Sequence, residues 1–202
     1  MTQSIENTIL NSIKKRGRGT VFFSSDYSKV GEKSAVLKAL ERMAAGGTIV
    51  RVARGIYCYP KIDKELGFGT LYPTYEEIAQ AIAKRDKARI VPAGIYAMNR
   101  LGLSTQVPMN VVYLTDGSSR KVAINGNKGI QFKHVAPKNL AFQNQLAQLI
   151  NSALKEIGQD NITEKDKTRI KSLLSNESKD NVMQDVKLMP DWIASIIREA
   201  YE

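Results

Sequence analysis

The sequence predicts an α+β fold in three parts. Three observations lead there. Helix-period runs alternate with short β-prone runs over the first 140 residues. Two hairpin-forming dipeptides, Asp116-Gly117 and Asn125-Gly126, separate three consecutive strand-like runs. After residue 141 only helical periodicity remains. The expected divisions are 1–62, 63–140 and 141–202.

The first part opens with "SIENTILNSIKK", where Ile5, Ile9 and Ile13 fall four apart on one helix face. Ser4 or Thr2 is placed to cap this helix, and Gly17 to end it. "TVFFSS" is a short strand, and "SSDYSKVG" a very short helix closed by Gly31. A helix over 32–45 follows. Val36, Leu37, Leu40, Met43 and Ala44 form its buried stripe, with Lys33, Ser34, Lys38 and Arg42 outside it. Gly46 and Gly47 stop that helix. "TIVRVA" and "GIYCYP" pair as a ribbon with Arg51 on it and Arg54 at its tip. This element order is that of a winged helix-turn-helix.

The second part begins after a glycine-containing linker, "KIDKELGFG". "TYEEIAQAIAKRD" is an amphipathic helix with a Thr74–Glu77 capping box. "VPAGIYAMNRLGL" is read as a helix that begins near Pro92 and stops at Gly102. "MNVVYLTD", "RKVAING" and "KGIQFKHV" form a three-stranded antiparallel meander with turns at Asp116–Ser118 and Asn125–Asn127. In the third part, "LAFQNQLAQLINSALKEIG", "TEKDKTRIKSLLS", "SKDNVMQDVKL" and "PDWIASIIREAYE" read as successive helices.

Charge narrows the functional classes. The 202 residues carry a net charge of +10. It is unevenly spread: +7 over residues 1–61, +5 over 62–140 and −2 over 141–202, counting Lys and Arg against Asp and Glu. A basic first part favours a polyanionic partner. A helix entering the major groove reaches base edges from its N-terminal turns, so Lys33, Ser34, Lys38 and Arg42 are candidate DNA contacts. Arg51 and Arg54 are placed for flanking backbone or minor groove. Lys14, Lys15, Arg16 and Arg18, at the end of the first helix, form a candidate phosphate clamp. Tyr57 and Tyr59 alternate along the ribbon and are expected to pack rather than stack on bases.

Signals for catalysis are weak, and the chain is expected not to be an enzyme and to need no metal or other cofactor. His134 is the single histidine and stands apart from any ligand spacing. Cys58 is the single cysteine; it has no CxxC partner and fits a packed strand position in a reducing cytoplasm. Glu76 and Glu77 sit where a helix dipole favours acidic residues. "GFG" at 67–69 lacks the strand-to-helix setting of a nucleotide loop. No transmembrane run and no signal-peptide block is seen, so a cytoplasmic protein without membrane contact is expected.

The segment "ARGIYCYP", together with "GLSTQVP", "VYLTDG" and "RKV" further on, resembles the AbiEi-type antitoxins of type IV abortive-infection toxin–antitoxin pairs and their relatives in Bacteroidota. The resemblance covers residues 2 to about 140. It implies an N-terminal domain that represses its own promoter at inverted repeats, and a following domain that neutralises a nucleotidyltransferase-like toxin. It makes the strands from Val111 to Val135, with Arg120, Lys121 and Lys133, the candidate antitoxin surface. Two copies would meet inverted repeats, as a homodimer or by cooperative assembly on DNA. The residues also allow a stand-alone winged-helix regulator whose region 63–202 dimerises or senses a ligand.

Overall fold

The structure, a computed structural model, describes residues 4–126 and 128–202. It is mixed helix and sheet and gathers into two compact units, residues 1–82 and 83–202.

The first unit begins with α1 (Ile5–Arg16). Ser4 caps it, its Oγ accepting from the Asn7 N–H at 3.2 Å; Thr2, the other cap candidate, lies outside the described residues. Then come β1 (Val21–Phe23), a single 3₁₀ turn (Ser24–Tyr27), α2 (Lys33–Ala45), β2 (Val50–Ala53) and β3 (Ile56–Cys58). The strands pair antiparallel in the order β1-β3-β2. Ile9 and Ile13 of α1, Val36, Leu40 and Met43 of α2, and Phe22 and Tyr57 of the sheet share one core. Phe22 stacks on Tyr57 with centroids 5.8 Å apart and meets Tyr27 edge-on at 5.9 Å, the geometries aromatic quadrupoles favour.

The expected linker at 61–69 is instead folded. β4 (Lys61–Asp63) and β5 (Gly69–Leu71) form an antiparallel hairpin. Asp63 makes the turn, its Oδ1 accepting from the N–H groups of Glu65 and Leu66 at 2.9 and 3.1 Å, an Asx-type closure. α3 (Tyr75–Asp86) follows with the expected box: Glu77 N–H donates to Thr74 Oγ1 (3.1 Å) and Thr74 N–H to Glu77 Oε2 (2.7 Å).

The second unit holds a four-stranded mixed sheet rather than a meander. Its strands are β6 (Ile90–Ala93), β7 (Asn110–Thr115), β8 (Arg120–Asn125) and β9 (Lys128–His134), in the order β6-β7-β9-β8. β9 lies between β7 and β8, parallel to β7. The expected Asp116–Ser118 hairpin fails because Asp116 is held by a residue distant in the chain. The Asp116 carboxylate accepts from the Arg89 N–H (2.7 Å) and Nε (2.8 Å), and Gly117 N–H is held by Thr115 Oγ1 (3.0 Å). Gly117 does not take a left-handed φ, as a type I′ turn would require. The Asn125–Lys128 connection does close β8 onto β9; Asn127 lies outside the described residues.

Pro92 sits in β6, not at a helix start. A proline disfavours helical backbone in the residue before it, and β6 is an edge strand where the missing N–H costs no ladder bond. Its carbonyl accepts from Ser152 Oγ at 2.9 Å. The helix, α4 (Gly94–Leu101), starts two residues later at Gly94, whose φ of +61° suits glycine.

Four further helices follow: α5 (Gln145–Ile157), α6 (Glu164–Leu174), α7 (Lys179–Asp185) and α8 (Asp191–Glu199). Residues 141–202 do not stand apart from the sheet part as expected. Ile150, Leu154, Ile170, Leu174, Ile193 and Ile197 share a core with Ala97 and Leu101 of α4. A helix buries its apolar stripe against the nearest apolar surface, and here α4 supplies part of it. No helix among the described residues is long and apolar enough to cross a membrane.

Two groups are held by burial. Asp185 is 2% exposed, and its carboxylate accepts from the N–H groups of Gln143 (3.0 Å) and Asn144 (2.7 Å) at the start of α5. Those donors and the positive end of the helix compensate the buried charge. We expect Asp185→Asn to lower the thermal unfolding midpoint, by about 1–3 kcal/mol of stability; an unchanged midpoint by circular dichroism would remove Asp185 from this role. Burial, reinforced by nearby Glu77 and opposed by Lys61, pushes the Cys58 thiol up from 9.0 to about 11. A raised folded-state value contributes stability that is present below 9.0 and lost as pH rises towards about 11. Ellman's reagent at pH 8 should therefore leave native Cys58 untouched and label it fully in denaturant.

Candidate nucleic-acid interface

α2 buries most of the expected stripe, but Leu37 and Ala44 are only half-buried and Ala39 takes a core place instead. Val36, Ala39, Leu40 and Met43 are buried. Lys33, Ser34, Lys38 and Arg42 are exposed, and Ser34, Lys38 and Arg42 follow one another at four-residue steps along the outer side. Lys33 and Lys38 form no ion pair among the described residues. Arg42 does: its Nε meets Glu6 Oε1 of α1. Both side chains of that pair are substantially exposed, 65% and 38%. Such pairs are worth about 0.2–1 kcal/mol, so a phosphate can displace Glu6 at small cost. Glu41 also lies exposed on the outer side of α2. It reduces the positive field there.

Strand register fixes the face of the ribbon on which Arg51 lies. Phe22, Tyr57 and Arg51 are directly opposite one another across β1, β3 and β2, so their side chains leave the same face of the sheet. That face packs on α1 and α2, and Arg51 is its exposed outer member. Burial raises the Tyr57 hydroxyl pKa, with Arg51 lowering it and Glu41 of α2 raising it. Tyr57 therefore feels charge from both elements. It is 2% exposed and belongs to the core, as does Tyr59, which is also buried.

Arg54 is exposed in the tight turn before Gly55. Gly55 takes a φ of +72°, which glycine adopts freely. The Ser24 N–H donates to the Gly55 carbonyl at 3.0 Å. The tip is thus tied to the 3₁₀ turn, making a short ribbon held against the fold.

The basic run at the end of α1 is divided. Lys14 and Lys15 are exposed and form no ion pair among the described residues. Arg16 pairs with Asp26 at 3.2 Å. Arg18 donates to the Pro60 carbonyl (2.9 Å) and lies over the Tyr59 ring, 4.7 Å from its centroid. The four do not form one free clamp, because the last two hold α1 to the loop and sheet of their own unit.

In the second unit the three candidate cations separate as well. Lys121 pairs with Gln131 in register and Lys133 with Leu114, which puts both on one sheet face. Arg120 is opposite Phe132 and leaves the other face. Its guanidinium lies over the Phe132 ring at 5.3 Å and meets Asp86. Burial opposes ionisation of Asp86, but hydrogen bonds from Arg85 and Arg120 outweigh it and hold the carboxyl below its usual range. Arg120 is thereby committed within the unit. His134 is exposed, with Nδ1 2.8 Å from the Gly117 carbonyl. No group of three His, Cys, Asp or Glu that could hold a metal occurs among the described residues.

The Arg42–Glu6 pair is expected to be electrostatically weak. Glu6→Gln should change stability by less than about 1 kcal/mol, measured by urea unfolding at low and high salt. A larger, salt-independent loss would make Arg42 a structural residue.

No curated protein matches the sequence. Among solved structures, the crystal structure of the RV2827C protein from Mycobacterium tuberculosis is similar at 12% identity, covering 98% of this chain and 77% of that one, with a TM-score of 0.48. The model of a family of unknown function, DUF6088, matches residues 8–182, and the chain belongs to that family.

Proposed function

We propose that residues 1–62 act as a winged helix-turn-helix that reads duplex DNA. In this reading the chain is the antitoxin of a two-gene toxin–antitoxin pair, repressing its own promoter and opposing a nucleotidyltransferase-like toxin. One observation carries the DNA-binding half. The row Phe22–Tyr57–Arg51 puts Arg51 on the sheet face that packs on α1 and α2, and Lys33, Ser34 and Lys38 are exposed on α2; in this reading helix and ribbon address one duplex together. The order α1, β1, 3₁₀ turn, α2, β2, β3, with β3 central in the sheet, supports the same reading.

In this mechanism α2 enters the major groove by its N-terminal turns, with Lys33, Ser34 and Lys38 towards base edges and phosphates. Arg51 and Arg54 meet the flanking backbone. Lys14 and Lys15 add phosphate attraction, and Arg42 joins once Glu6 is displaced. Arg16 and Arg18 serve the fold. Inverted repeats would take two copies, as a dimer or by cooperative loading. The antitoxin half rests on the resemblance of the "RGIY" and "GLSTQVP" segments, with Lys121 and Lys133 as the shared-face cations and Arg120 left out.

The test is a mobility-shift titration on the DNA upstream of the gene. Each phosphate neutralised should add about −0.9 to the slope of log Kobs against log salt. Lys38→Ala or Arg54→Ala should weaken binding by about 1–3 kcal/mol where the side chain makes a good base contact, without unfolding the chain. No retardation at low salt would end the DNA reading. Co-expression with the neighbouring gene should rescue growth; DNA binding without rescue would leave a stand-alone regulator.

A further inference from the structure

The β4–β5 hairpin is a sheet of two strands that pairs with no other strand among the described residues. Large apolar side chains gather on it. Of the eight that stand exposed among the described residues, five lie between Ile62 and Tyr72: Ile62, Leu66, Phe68, Leu71 and Tyr72. None of the five belongs to a hydrophobic core. Ile62 is opposite Thr70 and Leu71 opposite Lys61, so Ile62 and Leu71 leave opposite faces. Both are exposed, so neither face of the hairpin is covered. An isolated two-stranded hairpin is only marginally stable in water. This one is held at its turn, where Asp63 Oδ1 accepts from the Glu65 and Leu66 N–H groups and Gly67 and Gly69 take φ of +78° and +67°. That backbone holds Leu66 and Phe68 out in solvent.

Charge selects what meets this surface. Residues 1–60 hold ten Lys and Arg against four Asp and Glu, a net +6. Across 61–72, Lys61 and Lys64 are balanced by Asp63 and Glu65, so the apolar stretch carries no net charge. A polyanion is drawn to the rest of the unit rather than to the hairpin. Two copies of so basic a unit repel one another, and they approach at least cost where charge is balanced. Each hairpin also carries both signs. Two of them can therefore set lysine against carboxylate twice over, as an isologous contact about a two-fold axis requires.

We propose that the β4–β5 hairpin is a self-association surface, on which a second copy of this chain packs its own hairpin about a two-fold axis. Phe68 and Tyr72 are the anchors, since aromatic side chains supply most of the binding energy at such surfaces. Ile62, Leu66 and Leu71 surround them. Size sets the strength. Phe68 and Tyr72 are 71% and 70% exposed and offer roughly 300 Å² between them, from aromatic areas of about 150–250 Å² each. With the three aliphatic residues the patch still falls short of the about 800 Å² per partner of a standard interface. The dimer is accordingly weak and concentration-dependent. The assignment stands without DNA reading by α2, although two copies so joined suit the inverted repeats of the proposed function.

Sedimentation velocity of the full chain over a concentration series tests it. The average mass should rise from one chain towards two as concentration increases. Added salt should preserve or strengthen the dimer, because it screens repulsion between the basic units, whereas it weakens binding to DNA. Phe68→Ser with Tyr72→Ser should weaken association at least about tenfold, the scale of losing a hot spot. The far-ultraviolet circular dichroism and unfolding midpoint should stay unchanged, since both side chains lie outside the cores. Val107→Ser with Met109→Ser, at exposed apolar positions of the second unit, should leave the dimer intact. A single-chain mass at every concentration overturns the assignment, and beside intact DNA retardation it leaves the DNA reading standing. A dimer that survives the hairpin variant, or that dissolves in salt, overturns it too. So does a monomer that co-floats with phosphatidylcholine–phosphatidylserine vesicles through Phe68 and Tyr72, which would give the hairpin to a lipid surface.

Discussion

The cross-strand row Phe22–Tyr57–Arg51 is the constraint on which the first unit depends. Two of its members are buried and stacked under α1 and α2. Strand pairing gives the third no freedom to choose a side: residues opposite one another across a ladder project from the same face. The aromatic core and the position of the outermost cation are therefore one fact. A one-residue slip of β2 would turn Arg51 to the opposite face and Val50 inward. The bulge between Arg51 and Ala53 absorbs the extra residue before the turn.

Formal charge alone does not make a binding surface, and the basic residues of this unit sort by what else they touch. Arg18 is held by a carbonyl and a tyrosine ring together. Arg42 is held by a single exposed carboxylate, an interaction that water and salt nearly cancel. Lys33, Lys38, Lys14 and Lys15 have no ion pair within the described residues. Glu41 among them lowers the local field without abolishing it, since the unit as a whole remains strongly positive.

In the second unit the insertion of β9 between β7 and β8 decides which side chains share a face. It sets Lys121 and Lys133 with Val112 and Leu114, and it sets Arg120 with Phe132 on the other side. The Arg89–Asp116 pair fixes the point from which the chain departs from hairpin geometry. Desolvation opposes ionisation of Asp116 only weakly against the Arg89 hydrogen bonds, which hold its carboxyl below the ordinary range. That anchor diverts the chain from the tight turn that the Asp-Gly dipeptide favours.

What the sequence determined by itself was local. Ser4 and the Thr74–Glu77 box cap their helices because each bond spans only three residues. The buried stripes of α1, α2 and α5 follow from the 3.6-residue period. The tertiary structure alone decided the strand order, the folding of 61–71 into a hairpin, and the partners of Arg42, Arg120 and Arg18. Those partners lie 36, 34 and 42 residues away in the chain. Which side chains meet over such distances depends on sheet register and chain closure, and a pattern of neighbouring residues does not encode either.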